Sequence, residues 1–77
     1  MNFYFTFGTD EDQSFYGGWV KIIAEDKDQA YEKFRKCFPD REQGTLNCAF
    51  VYTEDEFKKT KMPIRGNYGF KCHEIIE

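Results

Sequence analysis

The sequence predicts an α+β two-layer sandwich: a three- to four-stranded, mainly antiparallel sheet with one main helix packed on it and a second short helix, in the order β-β-α-β-α-β. Three observations predict it. Residues Asn2 to Phe7 alternate, with Phe3, Phe5 and Phe7 on one side and Tyr4 and Thr6 on the other, the period of a strand. Residues Gly17 to Pro39 run from a strand-like stretch straight into a capped amphipathic helix. Thr53 to Glu56 repeats a helix-capping pattern directly after a third apolar run.

In chain order, Gly8 to Ser14 is polar turn material, so the first two strands are expected to form a hairpin. Its Asp10, Glu11 and Asp12 read as a solvated loop. The second strand covers about Gly18 to Ala24. Val20, Ile22 and Ala24 share one face; Trp19, Lys21 and Ile23 share the other. Apolar groups on both sides predict a central strand, or one whose second face meets a partner.

Asp26 is a good helix N-cap, and Gln29 three residues later completes a capping-box pattern. Ala30, Tyr31, Phe34, Cys37 and Phe38 then form one apolar stripe. Lys33, Arg35 and Lys36 favour the C-terminal half, as the helix dipole prefers. Pro39 stops the helix.

Asp40 to Thr45 is a polar loop, and Leu46 to Thr53 reads as the third strand, placed centrally because both its faces carry apolar groups. The second helix, Glu54 to about Thr60, is short, has only Phe57 and the Lys61 stem or Met62 as candidate anchors, and is stopped by Met62-Pro63. Ile64 to Gly69 is a Gly/Asn-rich loop, and Phe70 to Ile76 is the expected last strand.

Seventy-seven residues make one domain. A chain of this size buries only about 60–65% of its unfolded surface. Nine Phe, five Tyr and one Trp partly offset that, since each ring can bury roughly 150–250 Å². So small a core can hardly hold every ring, which leaves aromatics for the surface, where they suit interfaces.

Net charge is −3, from 14 acidic and 11 basic side chains. No direct grip on nucleic acid is expected, because that needs a basic face. No apolar run of membrane-spanning length occurs, so no membrane partner is expected. The N-terminal Met-Asn-Phe-Tyr-Phe-Thr-Phe lacks the basic start and small-residue cleavage site of a signal peptide. Three cysteines, an odd number, fit a reducing cytoplasm and read as small buried hydrophobes, Cys37 on a helix and Cys48 and Cys72 on strands.

The chemistry-bearing patterns are sparse. Cys72 and His73 are neighbours and would point to opposite faces of a strand, and no closely spaced ligand pair exists, so neither a metal nor any other cofactor is expected. A Cys–His nucleophile would need a thiol in an exposed electropositive niche, which nothing in the pattern marks. Asp10, Asp12, Glu54 and Glu56 sit where surface acids are ordinary. Gly17-Gly18 precedes a strand, whereas phosphate-cradling glycines precede a helix. The expectation is therefore a protein without catalytic residues.

What remains is a recognition surface. Tyr16, Trp19, Lys21, Arg65 and Tyr68 are aromatic or cationic residues in or beside loops and on the less committed strand face. Tyr, Trp and Arg are favoured interface anchors. The same set could stack a nucleobase and pair with a phosphate. The competing reading makes Trp19 part of a second small core.

The opening Tyr4-Phe5-Thr6-Phe7-Gly8, the Gly18-Trp19-Val20 strand, Ala24-Glu25-Asp26 followed by Ala30 and Phe34, and the Tyr52-Thr53-Glu54 corner together resemble small accessory proteins encoded by phages and prophages of Gram-positive bacteria. The resemblance covers most of the chain and consists of scaffold features, with no catalytic residue to carry over. It implies a cytoplasmic protein of the bacterial host that disables a host defence component, such as a CRISPR effector, by protein–protein contact. The alternatives it leaves are a binder that sequesters a nucleotide signal, as an oligomer with the pocket between subunits, and a structural or regulatory phage protein.

Overall fold

The computed structural model describes residues 1–8, 18–65 and 75–77, with Arg65 described by its backbone. The expected α+β architecture is present. Strands β1 (Asn2–Thr6), β2 (Trp19–Ile23), β3 (Phe50–Thr53) and β4 (Ile75–Ile76) form one sheet in the order β3-β1-β2-β4. β1 pairs antiparallel with both β2 and β3, whereas β2 and β4 are parallel. The connection from β2 to β3 therefore crosses over β1, and helix α1 (Lys27–Cys37) fills that crossover.

Period-two alternation in β1 and β2 determines which residues meet. Phe3 lies opposite Ile22 and Phe5 opposite Val20, so these side chains share one side of the sheet. Phe3, Phe5, Phe7, Val20, Ile22, Ala24, Ala30, Phe34 and Phe38 form one buried cluster under α1. Phe34 is its keystone. Its ring stacks on Phe5 at 4.3 Å between centroids and on Phe38 at 4.9 Å.

The Asp26 side chain caps α1, accepting from Gln29 N–H at 2.8 Å. The reciprocal half of the box falls one residue early: Gln29 Oε1 accepts from Glu25 N–H at 2.7 Å. At the far end, Phe38 N–H reaches Phe34 O at 2.8 Å before Pro39 ends the helix. Lys33 Nζ donates to Ile23 O at 2.8 Å, tying the helix back to the end of β2.

Helix α2 (Glu54–Lys58) lies on the opposite side of the sheet. Both halves of its capping box form: Thr53 N–H donates to Glu56 Oε1 at 2.9 Å, and Glu56 N–H to Thr53 Oγ1 at 3.3 Å. Its buried Phe57 is the expected anchor.

Four sequence-based expectations need correction. The third strand starts at Phe50, not Leu46, and among the described strands it lies at the edge of the sheet. Its two-sided apolar character reflects Val51 entering the α1 core while Tyr52 meets Phe57. Cys48 therefore precedes the strand. Cys37, the last residue of α1, is exposed rather than buried, while Phe38 just beyond it takes the buried place at the end of the stripe. Finally, Met62–Arg65 forms a short helix α3 instead of a stop and a loop. Proline is tolerated in a first helical turn, where its missing N–H has no partner to lose. Thr60 bridges the two short helices, its hydroxyl donating to Phe57 O at 2.7 Å and accepting from Met62 N–H at 3.2 Å. Cys72, His73 and the loop acids Asp10, Glu11 and Asp12 lie outside the described residues, as does most of the expected last strand.

Candidate functional site

The side of the sheet away from α1 is where the candidate residues fall. Thr6 lies opposite both Phe50 and Trp19, and Tyr4 opposite both Tyr52 and Lys21. Lys21 in turn lies opposite Ile75 of β4. Two rows of side chains thus cross this face: Phe50, Thr6 and Trp19, then Tyr52, Tyr4, Lys21 and Ile75.

Helix α2 covers the middle of these rows. Phe57 stacks on Tyr4 with centroids 3.9 Å apart and planes 2° from parallel, and meets Trp19 edge-on at 5.1 Å. Tyr52 approaches Phe57 at 6.3 Å and Phe50 at 4.5 Å. Trp19 is thus built into a second, smaller aromatic cluster and keeps only part of its surface in water. It is both a packing residue and a surface residue. Lys21 is half-buried on the central strand between Tyr4 and Ile75.

The outer positions are open. Phe50 is 54% exposed and Ile75 59% exposed, one at each edge of the sheet. Phe50, with Tyr52 beside it, is not marked by the sequence, because apolar groups on both faces of Leu46 to Thr53 suit a central strand. A lone aromatic at a strand's first residue gives no sign of which edge it will occupy.

Of the five sequence-predicted residues, Trp19 and Lys21 lie at alternate positions of β2 and share this face. The backbone of Arg65 closes α3, which follows α2. Tyr16 and Tyr68 lie outside the described residues.

Burial and a hydrogen bond to the Glu54 carboxylate push the Tyr4 phenol up to about 12. Glu54 itself keeps its Oε2 buried without a hydrogen-bond partner. Burial pushes the Cys48 thiol up to about 11, so it stays protonated and a poor nucleophile near neutral pH. Glu56 is held below the usual carboxylate range by its hydrogen bonds to Thr53. Among the described residues, no three His, Cys, Asp or Glu side chains gather in a way that could hold a metal ion, and no helix is long and apolar enough to cross a membrane.

Fold and face together define a small α+β domain with a buried core under α1 on one side and a partly covered aromatic cluster on the other. No protein-family model, curated protein or solved structure matches the chain.

Proposed function

We propose that this chain is a non-enzymatic, phage-encoded binding protein that inhibits a host bacterial defence component, such as a CRISPR effector, by protein–protein contact through the α2 side of its sheet. The observation that carries the contact reading is the composition of that face. Exposed Phe50 and Ile75 flank half-buried Trp19, Lys21 and Tyr52. Aromatic residues around a few polar groups make the kind of patch that interfaces use. The defence target and phage origin rest on the resemblance of the scaffold motifs.

The test uses Lys21→Glu and Ile75→Ser, which change the face without removing a ring of the Phe57 cluster; because Lys21 lies opposite Tyr4, the melting curve of its variant is compared with the parent's. Trp19→Ala is a poorer probe, because it also removes a packing partner of Phe57. The tagged protein is expected to capture one defence protein from a host lysate, and to restore phage plating on a strain carrying that system. Both effects should fall at least about tenfold in the two variants, a loss of roughly 1.4 kcal/mol. Unchanged capture and plating in both variants would discard this face. Stabilisation by a cyclic nucleotide, with no protein captured, would replace the reading with nucleotide sequestration.

A further inference from the structure

A second surface lies on the α1 side of strand β3. An open groove of about 630 Å³ runs between α1 and the segment leading into β3. Lys27, Tyr31 and Arg35 form one wall; Leu46, Cys48 and Val51 belong to the other. The three wall residues of α1 are four apart in sequence, so they stand on one stripe of the helix. Lys27 and Arg35 are then about 12 Å apart along its axis, with Tyr31 midway.

About two turns of helix with a ring between the cations make this wall an extended stripe, the shape an extended chain matches. An extended chain rises about 3.3 Å per residue, so side chains at i and i+4 are about 13 Å apart and, with i+2, point the same way. Strand β3 lies at the edge of the described sheet beside the groove, and a sheet edge is a ready template for an added strand. The groove's chemistry has the same order: cation, ring, cation. Arg35 Nε is engaged by Asp40 at 3.1 Å, but a guanidinium carries five N–H donors and can serve a second carboxylate.

We infer that this groove binds an extended acidic peptide segment of a partner protein, with acidic residues at i and i+4 paired to Lys27 and Arg35 and an apolar residue at i+2 over Tyr31. The inference rests on the reading of a protein that works by contact, but not on the α2-side face.

The experiment titrates the full chain with a fluorescein-labelled peptide, Ser-Glu-Val-Leu-Thr-Glu-Ser, by fluorescence polarisation. Its controls are the same peptide with both Glu replaced by Gln, and one with the second Glu moved to i+3. The parent peptide should bind saturably. The Gln peptide, the shifted peptide and the Lys27→Glu variant should each weaken binding about tenfold. Lys27 is exposed, so the variant is expected to fold, and its melting curve checks this. Amide NMR shifts on titration should concentrate at Lys27, Tyr31, Arg35 and residues 46–53. No saturable binding, equal affinity for the Gln peptide, or indifference to Lys27→Glu would overturn the inference. So would saturable binding of ATP at the same residues without peptide binding. Peptide binding without capture of a defence protein would leave this site standing and remove only the proposed target.

Discussion

The α1 side and the α2 side of the sheet both close over aromatic rings, but with different completeness. On the α1 side an 11-residue helix lays a full stripe across three strands' worth of apolar groups, and Phe3, Phe5, Phe7 and Phe34 are each no more than 2% exposed. On the α2 side a five-residue helix contributes one buried residue, Phe57, which Tyr4, Trp19 and Tyr52 surround. The same ring chemistry thus yields a core in one place and a rimmed, half-open cluster in the other. Helix length makes the difference. About three turns can offer i, i+4 and i+8 contacts, whereas little more than one turn offers a single anchor. Residues that a short helix cannot reach, Phe50 and Ile75 above all, are left to solvent or to a partner.

The largest test of this contrast is Phe34→Ala. Phe34 is fully buried between Phe5 and Phe38, so truncation should cost about 3–5 kcal/mol. In a domain whose total stability is of order 5–15 kcal/mol, urea titration should show a midpoint shifted far to lower denaturant, or no folded baseline. The parallel truncation, Phe57→Ala, should cost less, about 2–3 kcal/mol. Its cover is a short helix that can settle onto the sheet, so less cavity persists. Equal costs for the two would mean that the α2 side is as tightly packed as the core, and would weaken the case for an interface there.

The caps sharpen the comparison at lower energy. Asp26→Ala and Thr53→Ala each remove a side-chain acceptor from a helix start and should each cost about 1 kcal/mol globally. Their local consequences should differ. Helix α1 has the core to hold it, so Asp26→Ala should leave amide exchange in α1 slow. Helix α2 depends on its box and on Phe57, so Thr53→Ala should raise exchange mainly in residues 54–60. Hydrogen exchange by mass spectrometry reads this directly.

The legible part of the fold was the part written in local periodicity. Alternation gave β1 and β2 and their faces. Asp26, the Ala30–Phe34–Phe38 stripe and Pro39 bounded α1. The Thr53–Glu56 box marked the start of α2. Strand order was not legible, since the same run Phe50-Val51-Tyr52 suits a centre or an edge, and only pairing with β1 decides. Helix α3 is not legible because Met62-Pro63 reads as a stop, though a proline so near a helix start costs no hydrogen bond. For the site, Trp19 and Lys21 could be read from β2's second face. Phe50, Tyr52 and the Lys27–Tyr31–Arg35 wall could not, because their roles depend on which edge β3 occupies.

Alkaline pH offers the subtlest probe of the half-open side. Tyr4 sits at its centre, under Phe57, and folding raises its phenol from an ordinary 10 to about 12 through burial and the nearby Glu54 carboxylate. The folded state therefore favours the neutral phenol more than the unfolded state does. That contribution is fully present below pH 10 and is lost as pH climbs toward 12, because only the unfolded chain readily releases the proton in that window. Stability measured by denaturant titration should be flat in this respect up to about pH 10 and then fall. Tyr4→Phe removes the ionisable group, so this portion of the alkaline loss should disappear while the ring stack on Phe57 persists. An unchanged slope in the variant would mean that the phenol is already well hydrated, and that water reaches the middle of the α2 side as freely as its rim.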